Sequence, residues 1–180
     1  MTPRLAPVDP ATAPEDLAPV LTMNIFTTLA NNPGLMRKWL PFGGKLLMAG
    51  SLDARTRELL ILRTAYNVGC DYEWGQHVSM AREAGLSDDE IARIPEGSAA
   101  DGWSRDDLVL ILACDELCTE RDLGDATWER LSARFDAKQL VEVPMLVGHY
   151  AMLAGTLKAL RVERDPGVEG FPGSPTGGSS

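Results

Sequence analysis

The sequence predicts an all-α protein, a single-domain helical bundle of about seven or eight helices. Apolar residues recur at three- and four-residue spacings in one segment after another. Each segment is bounded by N-cap residues on one side and by glycine or proline on the other. No segment alternates apolar and polar residues as a half-buried strand does. With 180 residues, 44% of them hydrophobic, the chain is long enough to bury a core of its own.

The first residues, 1–12, are rich in Pro and Ala and are expected to be flexible. Thr12, followed three positions later by Glu15, forms a capping-box pattern with Pro14 in the first turn, so a helix is expected from there toward Ala30. Asn31-Asn32-Pro33-Gly34 ends it. A second helical stretch over 35–50 is predicted to be interrupted by Pro41 and Gly43-Gly44. Ser51 is the expected cap of a strong helix that closes near Gly69. The next helix covers 71–84 and stops at Gly85. Ser87 and Glu90 make another capping box, opening a short helix that Pro95 and Gly97 close. Ser104 caps the following helix, Gly124 separates it from the next, and Asp136 with Gln139 opens a last long helix reaching about Leu160, kinked by Pro144. The helical domain thus spans 13–163, and the Pro/Gly/Ser-rich tail, 164–180, is expected to be disordered.

Composition narrows the function classes. The formal net charge of −9 argues against a nucleic-acid partner, which demands clustered Lys and Arg, and against an anionic membrane. No apolar run is expected to span a bilayer and the first residues have no secretory signal core, so a cytoplasmic protein is expected. Three cysteines, Cys70, Cys114 and Cys118, without a CxxC, predict neither a disulfide scaffold nor a zinc site. With only His77 and His149 available as imidazoles, no metal site is expected.

The chemistry is concentrated in RTRELLILRTAYNVGCDYEWGQH, residues 55–77. On the helix after Gly69, Cys70, Glu73, Trp74 and His77 fall at i, i+3, i+4 and i+7, which gathers them on one face. Glu73 and His77 are one turn apart and within hydrogen-bonding reach of each other. Cys70 stands at the helix start, where the dipole favours a thiolate. On the preceding helix Glu58 begins a series with Leu62 and Ala65 that faces inward, and a short turn at Gly69 brings it toward the Cys70–His77 face. A carboxylate in apolar surroundings has a raised pKa, suited to acid/base work near neutral pH. The same pattern also fits a helical hairpin in which Glu58 pairs with Arg55 or Arg63 and Cys70 simply packs.

The stretch over 55–94, continuing through AGLSDDEIA, resembles the carboxymuconolactone decarboxylase family, which includes the alkylhydroperoxidase D-like proteins. That resemblance implies an alkylhydroperoxidase D-like helical fold. The peroxidase branch carries a Glu, a CxxC and a His; Glu58, Cys70 and His77 match the Glu, first Cys and His, whereas Glu73 stands in the place of the second Cys. The YEWxxH pattern looks closer to the decarboxylase-like branch, which works without metal or organic cofactor. What the resemblance then implies is a lyase acting on a small carboxylated or lactone-like substrate through an enolate. His77 would donate a proton or hold the oxyanion, Glu73 or Glu58 would orient it, and Cys70 would lie beside them. Arg57 or Arg63 would hold a substrate carboxylate and Trp74 would line the pocket. The alternatives are a thiol-dependent peroxidase of peroxiredoxin type using Cys70, and a non-catalytic oligomeric small-molecule-binding protein. The family also implies assembly as a homotrimer or homohexamer with the pocket near a subunit boundary. His149, on an apolar helix face, is expected to be a satisfied core or interface residue.

Overall fold

The computed structural model describes residues 2–172. These form eight α-helices: α1 (Asn24–Leu29), α2 (Pro33–Met48), α3 (Ala54–Asn67), α4 (Asp71–Glu83), α5 (Asp88–Arg93), α6 (Arg105–Thr119), α7 (Asp125–Ser132) and α8 (Ala137–Leu160), with 3₁₀ turns at Ala18–Val20 and Ile94–Ala99. There is no strand among the described residues, and the fold is the all-α bundle the sequence predicts.

Helix α3 is the axis of the bundle, packed on α4, α6 and α8. Every residue from Glu58 to Ala65 is buried, so α3 is enclosed on all sides rather than amphipathic. Its own cap is Asp53, not Ser51: Asp53 Oδ1 accepts from Thr56 N (2.9 Å) and Oδ2 from Thr56 Oγ1 (2.7 Å). The Ser51 N–H is instead held by Glu142 Oε2 of α8 (2.5 Å). The α3–α4 turn closes on Gly69 at φ 65°, with Gly69 N donating to Tyr66 O (2.9 Å) and Cys70 N to Ala65 O (2.9 Å). This paired closure of the last carbonyls fixes the angle at which α4 returns over α3.

Three predicted elements differ. The helix expected from Thr12 to Ala30 is only the turn Ala18–Val20 and the short α1. Pro19 is the reason: it has no N–H to give to a continuous helix, and it disfavours α conformation at Ala18. Helix α2 runs unbroken through Pro41 and both glycines. Pro41 removes one backbone bond, while Met36 and Leu46 are buried against the bundle on either side of it. Gly43 is a position of close approach rather than a breaker, since a Cβ there would meet His149 Nε2 and the Trp39 ring at 3.4 Å. After α5 the chain continues through Pro95 as the 3₁₀ turn instead of ending. Helix α8 passes through Pro144 as one 24-residue helix. By length and composition α8 is apolar enough to cross a membrane, contrary to the sequence expectation; here Val143, Leu146, Val147, Leu153 and Leu157 are core residues.

The termini also differ from expectation. Residues near the N-terminus are tied down, with Arg4 N donating to Leu160 O (3.0 Å) and Val8 N to Thr27 O (2.9 Å). The segment after α8 lies across α4 as a strap. Asp165 accepts from Asn24 N (2.8 Å), Tyr72 Oη (2.7 Å) and Gln76 Nε2 (2.5 Å). Phe171 packs on Tyr66 and Trp74, each with ring centroids 5.5 Å apart, and Arg164 pairs with Asp71 at 2.8 Å. Gly75 has no room for a Cβ because the Glu169 carbonyl lies against it. The expected disorder over 164–180 therefore fails for the described part; residues 173–180 lie outside the described residues.

Asp165 joins three donors from two elements to the strap. Asp165→Ala is expected to lower stability by about 1–3 kcal/mol, the range for leaving buried donors unmatched. Urea unfolding checks this; an unchanged midpoint refutes the strap's role.

Candidate acid-base site

The hairpin of α3 and α4 sets Glu58 against His77. His77 Nδ1 lies 2.7 Å from Glu58 Oε2, and Arg57 Nε donates to Glu58 Oε1 at 3.0 Å. Both Glu58 oxygens accept, as in an ionised carboxylate, so the His77 Nδ1–H is the donor. In the neutral ring this leaves Nε2 with its lone pair. That atom faces Glu73 Oε2 at 3.7 Å, too far for a hydrogen bond. Glu58, Glu73 and His77 are 0%, 3% and 5% exposed, so the array is withdrawn from bulk water.

Glu73 is the unusual member. Its Oε1 is buried with no hydrogen-bond partner. Burial pushes its pKa up to about 7, with His77 nearby pulling the other way. At neutral pH the carboxyl is thus poised between holding and releasing a proton, one turn from an imidazole whose tautomer Glu58 fixes. Such an arrangement can deliver a proton to, or take one from, a group placed between Glu73 and His77.

The other expected site residues fall differently. Cys70 is the α4 N-cap but is buried in an apolar cluster with Ile25, Leu153, Ala154 and Leu157. Burial, followed by weaker effects including the Glu73 charge, pushes its thiol up to about 11. The helix-start argument for a thiolate is therefore overturned by desolvation. Arg63 is committed elsewhere: its Nε donates to Asp115 Oδ1 (2.6 Å) and its Nη1 to Ile94 O (2.7 Å), beneath Gly97. It is a structural ion pair that staples α6 and the 3₁₀ turn to α3, and it does not face the array. Trp74 is fully buried between Tyr66 and Phe171, on the strap side of α4 rather than in a pocket with His77. Arg57 remains beside the array through its bond to Glu58. Cys114 is fully buried, its thiol donating to Leu60 O at 3.4 Å.

Two residues near the array were not singled out from sequence. Tyr150 of α8 stands edge-on to His77, with centroids 5.0 Å apart at 86°. Its hydroxyl pKa is raised by burial first and then by the Glu73 and Glu58 charges, so it is a protonated donor. His149 stacks on Trp39 (6.0 Å, 15°) and meets Phe42 (5.2 Å) and Tyr150 (5.3 Å) edge-on. Contrary to expectation its Nδ1 is unsatisfied. Both residues were hidden in an apolar helix whose only signal was two adjacent polar rings. No group of three or more His, Cys, Asp or Glu side chains suited to a metal ion occurs among the described residues.

Residues 33–111 match the sequence pattern of the Carboxymuconolactone decarboxylase family. No protein in the curated collection matches the chain. Among solved structures, an uncharacterized peroxidase-related protein with the alkylhydroperoxidase AhpD core, from Ralstonia eutropha JMP134, superposes with a TM-score of 0.81 at 15% identity, covering 91% of this chain and 93% of that one. An uncharacterized peroxidase-related protein from Silicibacter sp. TM1040 gives 0.79 at 12% identity, covering 92% and 94%. The debrominase Bmp8, as a variant bound to 2,3,4-tribromopyrrole, gives 0.71 at 12% identity, also covering 92% and 94%. At these identities the likeness establishes the fold.

The raised Glu73 pKa has a stability consequence. The folded state holds its proton up to about pH 7, whereas the unfolded chain releases it near its ordinary value of 4.5. The stabilisation from the protonated form is complete below pH about 4.5 and is lost as pH rises to about 7, about 3 kcal/mol in all. Chemical denaturation of wild type and Glu73→Gln across this window is expected to show that extra fall only in wild type; parallel curves refute the raised pKa.

Proposed function

Because the chain belongs to the carboxymuconolactone decarboxylase family, we propose that it is a cofactor-independent lyase that decarboxylates a small carboxylated lactone-like molecule by acid/base chemistry. Family and fold support a function of the decarboxylase or peroxidase-related kind. The observation favouring the first is the Glu58–His77–Glu73 array, with a buried carboxyl titrating near pH 7.

In this reaction the carbon–carbon bond to the substrate carboxylate breaks. CO₂ leaves, and the electron pair passes into the lactone carbonyl as an extended enolate. One proton must then reach carbon. Glu73 and His77 hold that proton between Oε2 and Nε2, deliver it and recover it from solvent. Glu58 keeps the imidazole in the productive tautomer and Arg57 keeps Glu58 ionised. The Tyr150 hydroxyl, held protonated, supplies a donor for the enolate oxygen. Arg57 makes no other side-chain bond among the described residues, which suits it to the substrate carboxylate. A peroxidase reading is disfavoured because the Cys70 thiol is buried with its pKa raised, and Glu73 stands in the place of a second thiol.

Turnover of carboxylated γ-lactones is expected to fall at least about 100-fold in His77→Gln and Glu73→Gln, while Cys70→Ser stays within about twofold of wild type. Peroxide consumption with a dithiol, measured alongside, reverses the assignment if it needs Cys70 and the lactone assay shows no turnover.

The working form is a homo-oligomer, a homotrimer or homohexamer by family resemblance, and α8 offers the contact surface. Val141, Met145 and Met152 are exposed along one stripe of α8, with Gly148 and Gly155 between them opening onto empty space. Small residues among large apolar ones let two helices approach closely, and a stripe of this kind marks an interaction face. Met145→Glu is expected to shift the mass measured by light scattering toward the monomer; an unchanged mass excludes this face.

A further inference from the structure

The second feature that calls for a ligand lies on the other side of α8 from the core. A groove of about 260 Å³ runs between α1, α2 and α8, lined by Leu29, Leu35, Met36, Trp39, Met152 and Leu153 among others. No charged side chain lines it. The polar wall residues Asn31, Asn32 and Thr156 are already bonded to backbone groups: Asn31 Nδ2 donates to Ala6 O (3.0 Å), Asn32 Oδ1 accepts from Leu35 N (3.1 Å), and Thr156 Oγ1 donates to Met152 O (3.1 Å).

Trp39 is different. Its indole Nε1–H is buried and finds no acceptor. The ring stacked on it, His149, is 95% withdrawn from solvent and carries a second unsatisfied nitrogen, Nδ1. Native proteins leave few buried polar atoms unmatched, because each costs about 1–3 kcal/mol. Two on facing rings, one of which lines an apolar groove, are matched together by one ligand group.

We infer that this groove is a second binding site, for a neutral apolar molecule ending in a carbonyl. The carbonyl oxygen accepts from Trp39 Nε1–H, with His149 Nδ1–H as the second donor, and the hydrocarbon lies along Leu29, Met36 and Leu153. Charge selects the neutral ligand. The chain carries −9 overall, the walls offer no cation, and burial lowers the His149 pKa so the ring stays neutral. Size selects a short chain: at the ~30 Å³ a water-sized group occupies, the groove takes roughly eight or nine carbons. The site is independent of the lyase proposal; Tyr150 is the ring that touches both His149 and His77.

The test uses the full-length protein and three probes of equal length, 2-nonanone, nonane and nonanoate. Titrated into the ¹⁵N-labelled chain, 2-nonanone is expected to move one of the four tryptophan indole N–H resonances. Trp39→Phe, which keeps a ring but removes the N–H, identifies that resonance by its loss. The ketone is expected to bind about tenfold tighter than the alkane in wild type, a difference that Trp39→Phe abolishes. Nonanoate is expected to bind more weakly than the ketone. Equal affinity for ketone and alkane in wild type, no indole shift, or nonanoate binding best overturns the proposal. So does ketone uptake that vanishes as the protein associates at rising concentration, which assigns the groove to a second copy.

Discussion

The buried bond between His77 Nδ1 and Glu58 Oε2, 2.7 Å long, is the interaction on which the arrangement of the hairpin depends. An ionised carboxylate inside a bundle is tolerable only when its oxygens are matched, and Glu58 is matched by a neighbour on its own helix and an imidazole from the next. That requirement fixes how α3 and α4 face one another. It needs the closed turn at Gly69 to set the crossing, and it needs α3 to be enclosed so that no water competes for the carboxylate. Removing either partner leaves the other buried and unmatched, a larger penalty than the bond's net worth. The strap over α4 belongs to the same logic, because Asp165 and Phe171 hold the far side of the helix that carries His77 and Glu73.

Local chemistry made much of this legible. Ser87, Ser104 and Asp136 announce their helices through side chains within three residues, and each caps as the pattern requires. The proximity of Glu58 to His77 also follows from helical spacing and one glycine turn. What escaped depends on partners far along the chain. Arg63 resembles a substrate clamp until Asp115 and Ile94 arrive from elsewhere to occupy it. Trp74 shares a nominal face with His77, yet the strap supplies its partner Phe171 from nearly 100 residues away. The Pro/Gly-rich composition of that strap reads as a loose tail because its order comes entirely from the surface it crosses. Pro19 and Pro41 show the same lesson from opposite sides. The first ends a helix with little packing to sustain it, whereas the second is overridden by buried residues on both sides.

Cys70 and Glu73 illustrate how burial decides between two chemistries on one scaffold. A thiol near a helix start has the dipole in its favour, worth about 0.3–1 kcal/mol at an exposed site. Desolvation acts against the charged form and outweighs it once the sulfur is packed among Leu153, Ala154 and Leu157. For a carboxyl, burial works usefully in the other direction. The same withdrawal from water that silences Cys70 raises Glu73 to the range where proton transfer at neutral pH is efficient. Replacing a second cysteine by glutamate therefore does more than remove a disulfide, since it installs an acid whose strength the fold itself sets.

Helix α8 carries conflicting demands, and its sequence shows the compromise. One side supplies Val143, Leu146 and Val147 to the core, and another presents Val141, Met145 and Met152 to the surface, so the helix is apolar nearly all round. Against that uniform background His149 and Tyr150 are the polar exceptions, and both face the interior. Tyr150 completes the wall around His77, while His149 turns toward Trp39 and leaves a nitrogen unmatched. A purely structural helix would gain stability by carrying hydrocarbons at both positions. Polar rings in an apolar helix, one against the acid-base array and one beside a groove, are what a bundle requires when the same helix must both pack and recognise small molecules.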